Sequence, residues 1–207
     1  MLLNRIRFAT LVGAALVTTA GTASAHHLMG GKTPSTFADG ILSGLGHPII
    51  GPDHLAFLVA IGVAVGVGGL SFATPFLFLV AMASGVAAHV AAFNIPAAEI
   101  IVALSVVVAG VLLALDRRIP ASRWAAIASI AGFFHGYAYG ESIYGAETMP
   151  LAAYLVGLVA VQTVLVLAIA LATRAVWKVS AIGPRLVGAA ICGVGLTVLV
   201  GQIIPTP

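Results

Sequence analysis

The chain has 207 residues, of which 61% are hydrophobic and 7% charged, with a formal net charge of +3 and a mean hydropathy of +1.16. A soluble domain of this length carries about 25% charged residues, roughly fifty, so there is too little polar surface here to coat a water-soluble globule, which excludes a soluble enzyme, a nucleic-acid binder and a disordered chain. What remains is a single-domain integral membrane protein, and apolar runs of spanning length without alternation favour helices over a β-barrel.

Residues 1–25 have the form of a cleavable secretory signal. Arg5 and Arg7 supply a basic start, residues 8–20 an apolar core too short to span comfortably, and Ala23-Ser24-Ala25 the small residues of a cleavage site. Cleavage after Ala25 would leave His26-His27 at the new terminus, where an α-amine beside two imidazoles can chelate a divalent metal. Residues 26–207 are then expected to form one all-α transmembrane domain. Ahead of its first span, Thr33 or Ser35 is placed to cap a short helix over residues 36–46, re-entrant or interfacial because it is too short to cross a bilayer. This segment leads into His47-Pro48-Ile49-Ile50-Gly51-Pro52-Asp53-His54. The two prolines remove amide donors and bias His47 and Gly51 to extended backbone, and irregular backbone at membrane depth has to be buried in protein or line a wet cavity.

Six transmembrane helices are expected beyond it, over residues 53–70, 71–93, 96–115, 123–139, 150–177 and 184–204. Pro96, Pro150 and Pro184 fall at helix starts, where a missing N–H costs nothing. Gly62, Gly66 and Gly69 nearly share a face, a spacing that lets helices approach closely in lipid. Three spans per half would allow an inverted repeat, but no sequence match supports one. With an exported amino terminus, the loops at 116–123 and 174–185 lie in the cytoplasm. They hold Arg117, Arg118, Arg123, Arg174, Lys178 and Arg185, leaving Lys32 as the one mature basic residue outside, which independently satisfies the positive-inside rule. The expected location is therefore the bacterial inner membrane, with both mature termini periplasmic.

On this topology every mature histidine, and all acidic residues except Asp116, fall on the outward side. His47, Asp53 and His54 lie at the outer end of the first span, His89 near that of the second, Glu99 at the start of the third, and His135, Tyr139 and Glu141 at the end of the fourth. Ionisable groups within spans are expensive and mark ion pathways, and imidazole with carboxylate suits first-row divalent metals. Each residue also has a structural reading: Asp53 as a helix N-cap, Glu99 as a partner of the helix macrodipole, His89 and His135 as packed or hydrogen-bonded core histidines. Glu141 points away from His135 unless the helix loosens near Gly140. Gln162 reads as helix–helix glue and Cys192 as packing; a single cysteine excludes an internal disulfide and a cysteine-cluster metal site.

At these positions the sequence resembles the HupE/UreJ family of nickel and cobalt permeases over essentially its whole length. The family motif His-x5-Asp-His is present as His47 to Asp53-His54, and the second, Phe-His-Gly-x-Ala-His-Gly-x-Glu, reads FHGYAYGES over residues 134–142. His135, Gly136, Ala138 and Gly140 match it. Tyr139 stands where the second histidine is usual, and Ser142 occupies the glutamate position with Glu141 one residue earlier. The resemblance implies uptake of Ni²⁺, or Co²⁺, across the inner membrane for hydrogenase, urease or another metalloenzyme, with the metal as cargo and no permanently bound cofactor. It implies His47, Asp53, His54 and His135 as the outward capture site, with Glu141 carried over as a shifted carboxylate; His26, His27, His89, Tyr139 and Glu99 are secondary candidates from their own chemistry and placement. Tyr139 would orient His135 or a bound water by hydrogen bonding. Ligand histidines have to be neutral, so capture should weaken below about pH 6.5. No GxxxxGK[ST] loop is present, so the chain carries no ATPase of its own. The rival readings are an intramembrane zinc hydrolase on the same side chains, which lacks an HExxH helix, and a metal sensor without flux. The sequence does not address oligomeric state.

Overall fold

The computed structural model describes residues 32–68, 70–71, 73–115, 119–177 and 182–204. The expected signal, His26-His27, Arg117, Arg118 and Lys178 lie outside them. The described residues form seven helices and no strand: α1 (Phe37–Ile50), α2 (Pro52–Gly68), α3 (Ala73–Val90), α4 (Ala98–Ala114), α5 (Ala121–Glu141), α6 (Thr148–Val176) and α7 (Ile182–Ile203). The chain is a multi-pass membrane protein. Helices α3, α6 and α7 are long and apolar enough to cross a bilayer, and α1 with α2 meets the same test as a pair bent by 77°. Helix α4 is apolar but only 17 residues long, and α5, which carries His135, Tyr137 and Tyr139, is the least apolar of the long helices.

The entry segment differs from the expectation in two ways. Thr36, not Thr33 or Ser35, caps α1: its Oγ1 accepts the Asp39 N–H at 3.1 Å while the Asp39 carboxylate accepts the Thr36 N–H at 3.1 Å, a reciprocal capping box. The helix also does not stop before His47. It continues through His47 and Pro48 to Ile50, because a proline's fixed φ is helical and costs one backbone bond rather than the whole turn. The break comes at Gly51 alone, held extended (φ −73°, ψ 111°) by the proline that follows it, and Pro52 then opens α2 at the position where no N–H is needed.

Glycines set the helix pairings. Gly40 and Gly44 of α1 lie against the backbone of Pro150 and Tyr154 in α6, and Gly62 and Gly66 of α2 against Val166–Ile169 and Ala170–Thr173 further along the same helix. Both halves of the broken pair α1–α2 thus meet α6 in the same chain direction, α1 on its first half and α2 on its second. Gly85, Gly132 and Gly136 bring α3 and α5 into backbone contact, again parallel, and Gly110, Gly188 and Gly195 do so for antiparallel α4 and α7. Helix α2 is the centre of the bundle, touching α1, α4, α6 and α7 and buried almost completely from Pro52 to Gly66. The outer faces are the reverse of a soluble protein's: Phe76, Ile130, Val164 and Leu196 are exposed, a surface suited to lipid.

Candidate metal centre

The bend between α1 and α2 is where the rare polar side chains meet. His47, in the last turn of α1, is 4% exposed, Asp53 and His54, in the first turn of α2, are 2% and 3%, and His135, in α5, is 1%. The parallel register of α1 on α6 places them beside Tyr154, six residues into α6 and so about 9 Å in from its start. The site is therefore recessed within the bundle, about two turns in from the start of α6.

Three histidines from three helices share this pocket. His54 Nδ1 and His135 Nδ1 are 2.8 Å apart, and the His47 and His54 rings approach edge-on with centroids 5.7 Å apart. Hydroxyls hold the two outer members. Ser105 Oγ of α4 lies 2.9 Å from His135 Nε2, and Ser142 Oγ and Tyr154 Oη lie 2.9 and 3.0 Å from His47 Nδ1. These hydroxyls have spent their protons elsewhere: Ser105 donates to the Val102 carbonyl, Tyr154 to the Tyr139 carbonyl, and Ser142 to that same carbonyl or to Tyr154. His135 is thus bridged between Ser105 on Nε2 and His54 on Nδ1, and His47 is held through Nδ1.

The remaining candidates divide. Asp53 accepts the His54 backbone N–H at 2.8 Å on Oδ1 and lies inside the first turn of α2, one residue past Pro52, rather than at its N-cap, while its charge also bears on His135, Tyr139 and Glu99. Glu99 is half-buried and within electrostatic reach of Asp53 and Glu141. Glu141 is exposed at the end of α5, which runs unbroken through Gly140; that glycine is occupied by the close approach of His89 instead of a kink. His89 packs against the Tyr137 ring at 4.6 Å and Tyr144 at 5.8 Å, apart from the three-histidine group. Tyr139 does not orient His135 through its hydroxyl. Its ring lies 4.2 Å from His54 and 4.9 Å from His47, and its buried hydroxyl has no hydrogen-bond partner among the described residues.

Sequence reasoning missed Ser105 and Tyr154 and saw Ser142 only as a departure from a glutamate. Hydroxyl residues on apolar helices are usually bonded to their own backbone, and nothing in the local sequence marks those that reach across. Among the described residues no three His, Cys, Asp or Glu side chains are already disposed around one ion; His54 and His135 bond to each other instead. The pocket thus gathers three imidazoles beside a carboxylate, two of the rings bonded to each other.

The sequence model of the HupE / UreJ protein family matches residues 14–198. Protein HupE of Rhizobium leguminosarum bv. viciae is 34% identical over 168 residues, covering 79% of this chain and 86% of that protein. No solved structure matches. A match across nearly the whole chain, together with a relative so similar over most of its own length, makes this chain a member of the HupE/UreJ family.

Proposed function

We propose that the protein takes up a divalent transition-metal ion, Ni²⁺ foremost and Co²⁺ next, across the bacterial inner membrane for enzymes such as hydrogenase or urease. One observation carries this reading: His47, His54 and His135 come from three separate helices to meet at the break of a bent span. A broken helix leaves backbone groups unpaired inside a bundle, and midway ion sites are built on such breaks. Family membership supports transport over catalysis. In this reading the cation displaces the His54–His135 hydrogen bond and is held by the His47, His54 and His135 imidazoles with the Asp53 carboxylate. Glu99 and Glu141 lie closer to that end of the bundle and draw cations toward the pocket, and the amino-terminal His26 and His27 concentrate the metal. The distribution of basic residues supports that end facing the periplasm, with both mature termini there.

Purified protein in liposomes tests this directly, with uptake competed among Ni²⁺, Co²⁺, Zn²⁺ and Mn²⁺. Accumulation of Ni²⁺ or Co²⁺ is the expected result; binding without accumulation, or hydrolysis of a lipid or peptide bond, would replace transport by a sensor or an enzyme. Tyr139→His should shift the Ni²⁺/Co²⁺ preference, because it sets a nitrogen donor against His54 in place of an unpartnered phenol. An unchanged ratio in the competition assay would remove Tyr139 from the metal's surroundings. Tyr154→Phe should lower uptake at low metal about tenfold, the typical cost of losing an outer partner of a ligating histidine, while leaving Ser142 to hold His47.

A further inference from the structure

Below the histidines the interior is largely apolar, and among its few buried polar side chains one amide stands out. Gln162 is fully buried at the middle of α6, and neither its Oε1 nor its Nε2 has a hydrogen-bond partner among the described residues. The sequence suggested an amide that glues two helices together, and it makes no such bond. It belongs to one buried stripe of α6, Tyr154, Leu158, Gln162, Val166, Ala170 and Thr173, that starts at the hydroxyl bound to His47. Gln162 is eight residues, about 12 Å, further from the histidine end than Tyr154. Thr173, eleven residues further on and on the same face, is a second fully buried side chain whose hydroxyl is unpartnered among the described residues.

Two aromatic rings border the histidines on this inner side. Phe57, one turn past His54, packs on the His135 ring at 4.6 Å, and Phe78 of α3 lies 5.7 Å from Phe57 and 6.5 Å from His135. Phe78 and Gln162 line the same cleft of about 530 Å³ between α3 and α6. The register that sets Gly62 against Val166 and Ile169, and Gly66 against Ala170 and Thr173, carried back along both helices, brings Gln162 to the level of Phe57. Beyond it the α2–α6 seam closes tightly at those two glycines.

We propose that Gln162 is a second, weaker station for the transported divalent cation, one layer inward of the histidine site and level with the Phe57–Phe78 barrier. This rests on the transport reading above. The amide oxygen gives a single neutral donor, to the ion itself or to a water it still carries. A lone neutral ligand holds a divalent ion weakly, and conduction needs a step that is favourable to enter and easy to leave. Retaining an unpaired amide in an apolar layer is otherwise a cost without return, since leucine or methionine would fill the same volume.

The test compares wild type, Gln162→Leu and the flexible near-isostere Gln162→Met in proteoliposomes supplied with radioactive Ni²⁺ alone. Ni²⁺ binding by equilibrium dialysis and the thermal midpoint in detergent are measured on the same preparations. The expected result is Ni²⁺ binding within about twofold of wild type, an unchanged or raised midpoint, and uptake slowed at least about tenfold, as removal of a single hydrogen-bond-sized stabilisation at a barrier would give. Uptake within twofold of wild type in either folded variant overturns the proposal. So does a fall of binding, midpoint and uptake together in both variants, which marks a purely structural amide, or failure of both to fold. A wild-type protein that binds but does not accumulate Ni²⁺ instead removes the transport reading itself.

Discussion

His54→Ala is expected to abolish Ni²⁺ uptake while the protein still inserts and accumulates in the membrane. His54 is the hub of the pocket: Nδ1 bonds His135, its ring packs on Tyr139, and its partner Asp53 is the adjacent residue. Alanine removes one proposed metal nitrogen and unties a second ring. Losing only an outer partner of a ligating histidine costs 10- to 100-fold, so losing the ligand should cost more than about a hundredfold in uptake at low metal. The fold should survive, because α2 is held by its apolar length against α4, α6 and α7. Radioactive uptake into cells, normalised to membrane protein level, reads the two effects apart. Transport persisting at wild-type rate would take the first motif out of the mechanism.

Gly136→Leu is expected to have the largest effect on the fold itself. Gly136 lies in the second motif directly after His135, which invites a chemical role, yet its hydrogen faces the Met82 backbone of α3. A Cβ there would meet the Met82 carbonyl oxygen, with the carbonyl carbon at 2.6 Å and Cα at 2.8 Å. Backbone cannot rotate out of the way as a side chain can, so α3 and α5 would have to separate. Gly85, whose own Cβ would come within 2.7 Å of the Tyr137 nitrogen, lies on the same seam and forbids relief by sliding. Overpacking a close core costs 1–3 kcal/mol where side chains can yield, so at least about 3 kcal/mol is expected here, read as loss of accumulated protein and of a cooperative melt in detergent. A leucine variant that accumulates and melts like wild type would show that α3 and α5 are not in backbone contact.

Much of the architecture follows from local signals. The sequence marks 71–93 as a span and α3 occupies 73–90; it marks 150–177 and α6 occupies 148–176. Prolines and apolar length mark such ends directly. Composition alone does not establish six full crossings, for α4 has 17 residues and the first crossing is a bent pair. The course of α1 through Pro48 was not legible, because proline's steric bias on its predecessor competes with helical packing against α6, and packing wins there but not at Gly51. For the site, the histidines and Asp53 could be named from their rarity in an apolar chain, whereas their partners could not. Ser142 meets His47 across 95 residues and Tyr154 across 107, and only the folded register of α1 on α6 brings them together. Glu141 illustrates the sensitivity of helical position. One residue is about 100° of rotation, and that places Glu141 in the open while Ser142 faces His47.

The bundle is assembled from three closely seated couples, α1 with α6, α3 with α5 and α4 with α7, arranged around α2. The pocket draws on all three: His47 and Tyr154 from the first, His135 from the second, Ser105 from the third, with His54 on the shared axle. No couple owns a complete coordination shell. In the transport reading proposed above, a tilt of α1–α6 as one rigid block against α3–α5 would draw His47 from Ser142 without unpicking a single glycine contact inside either block, so the same motion that opened a way onward would loosen the grip on the ion.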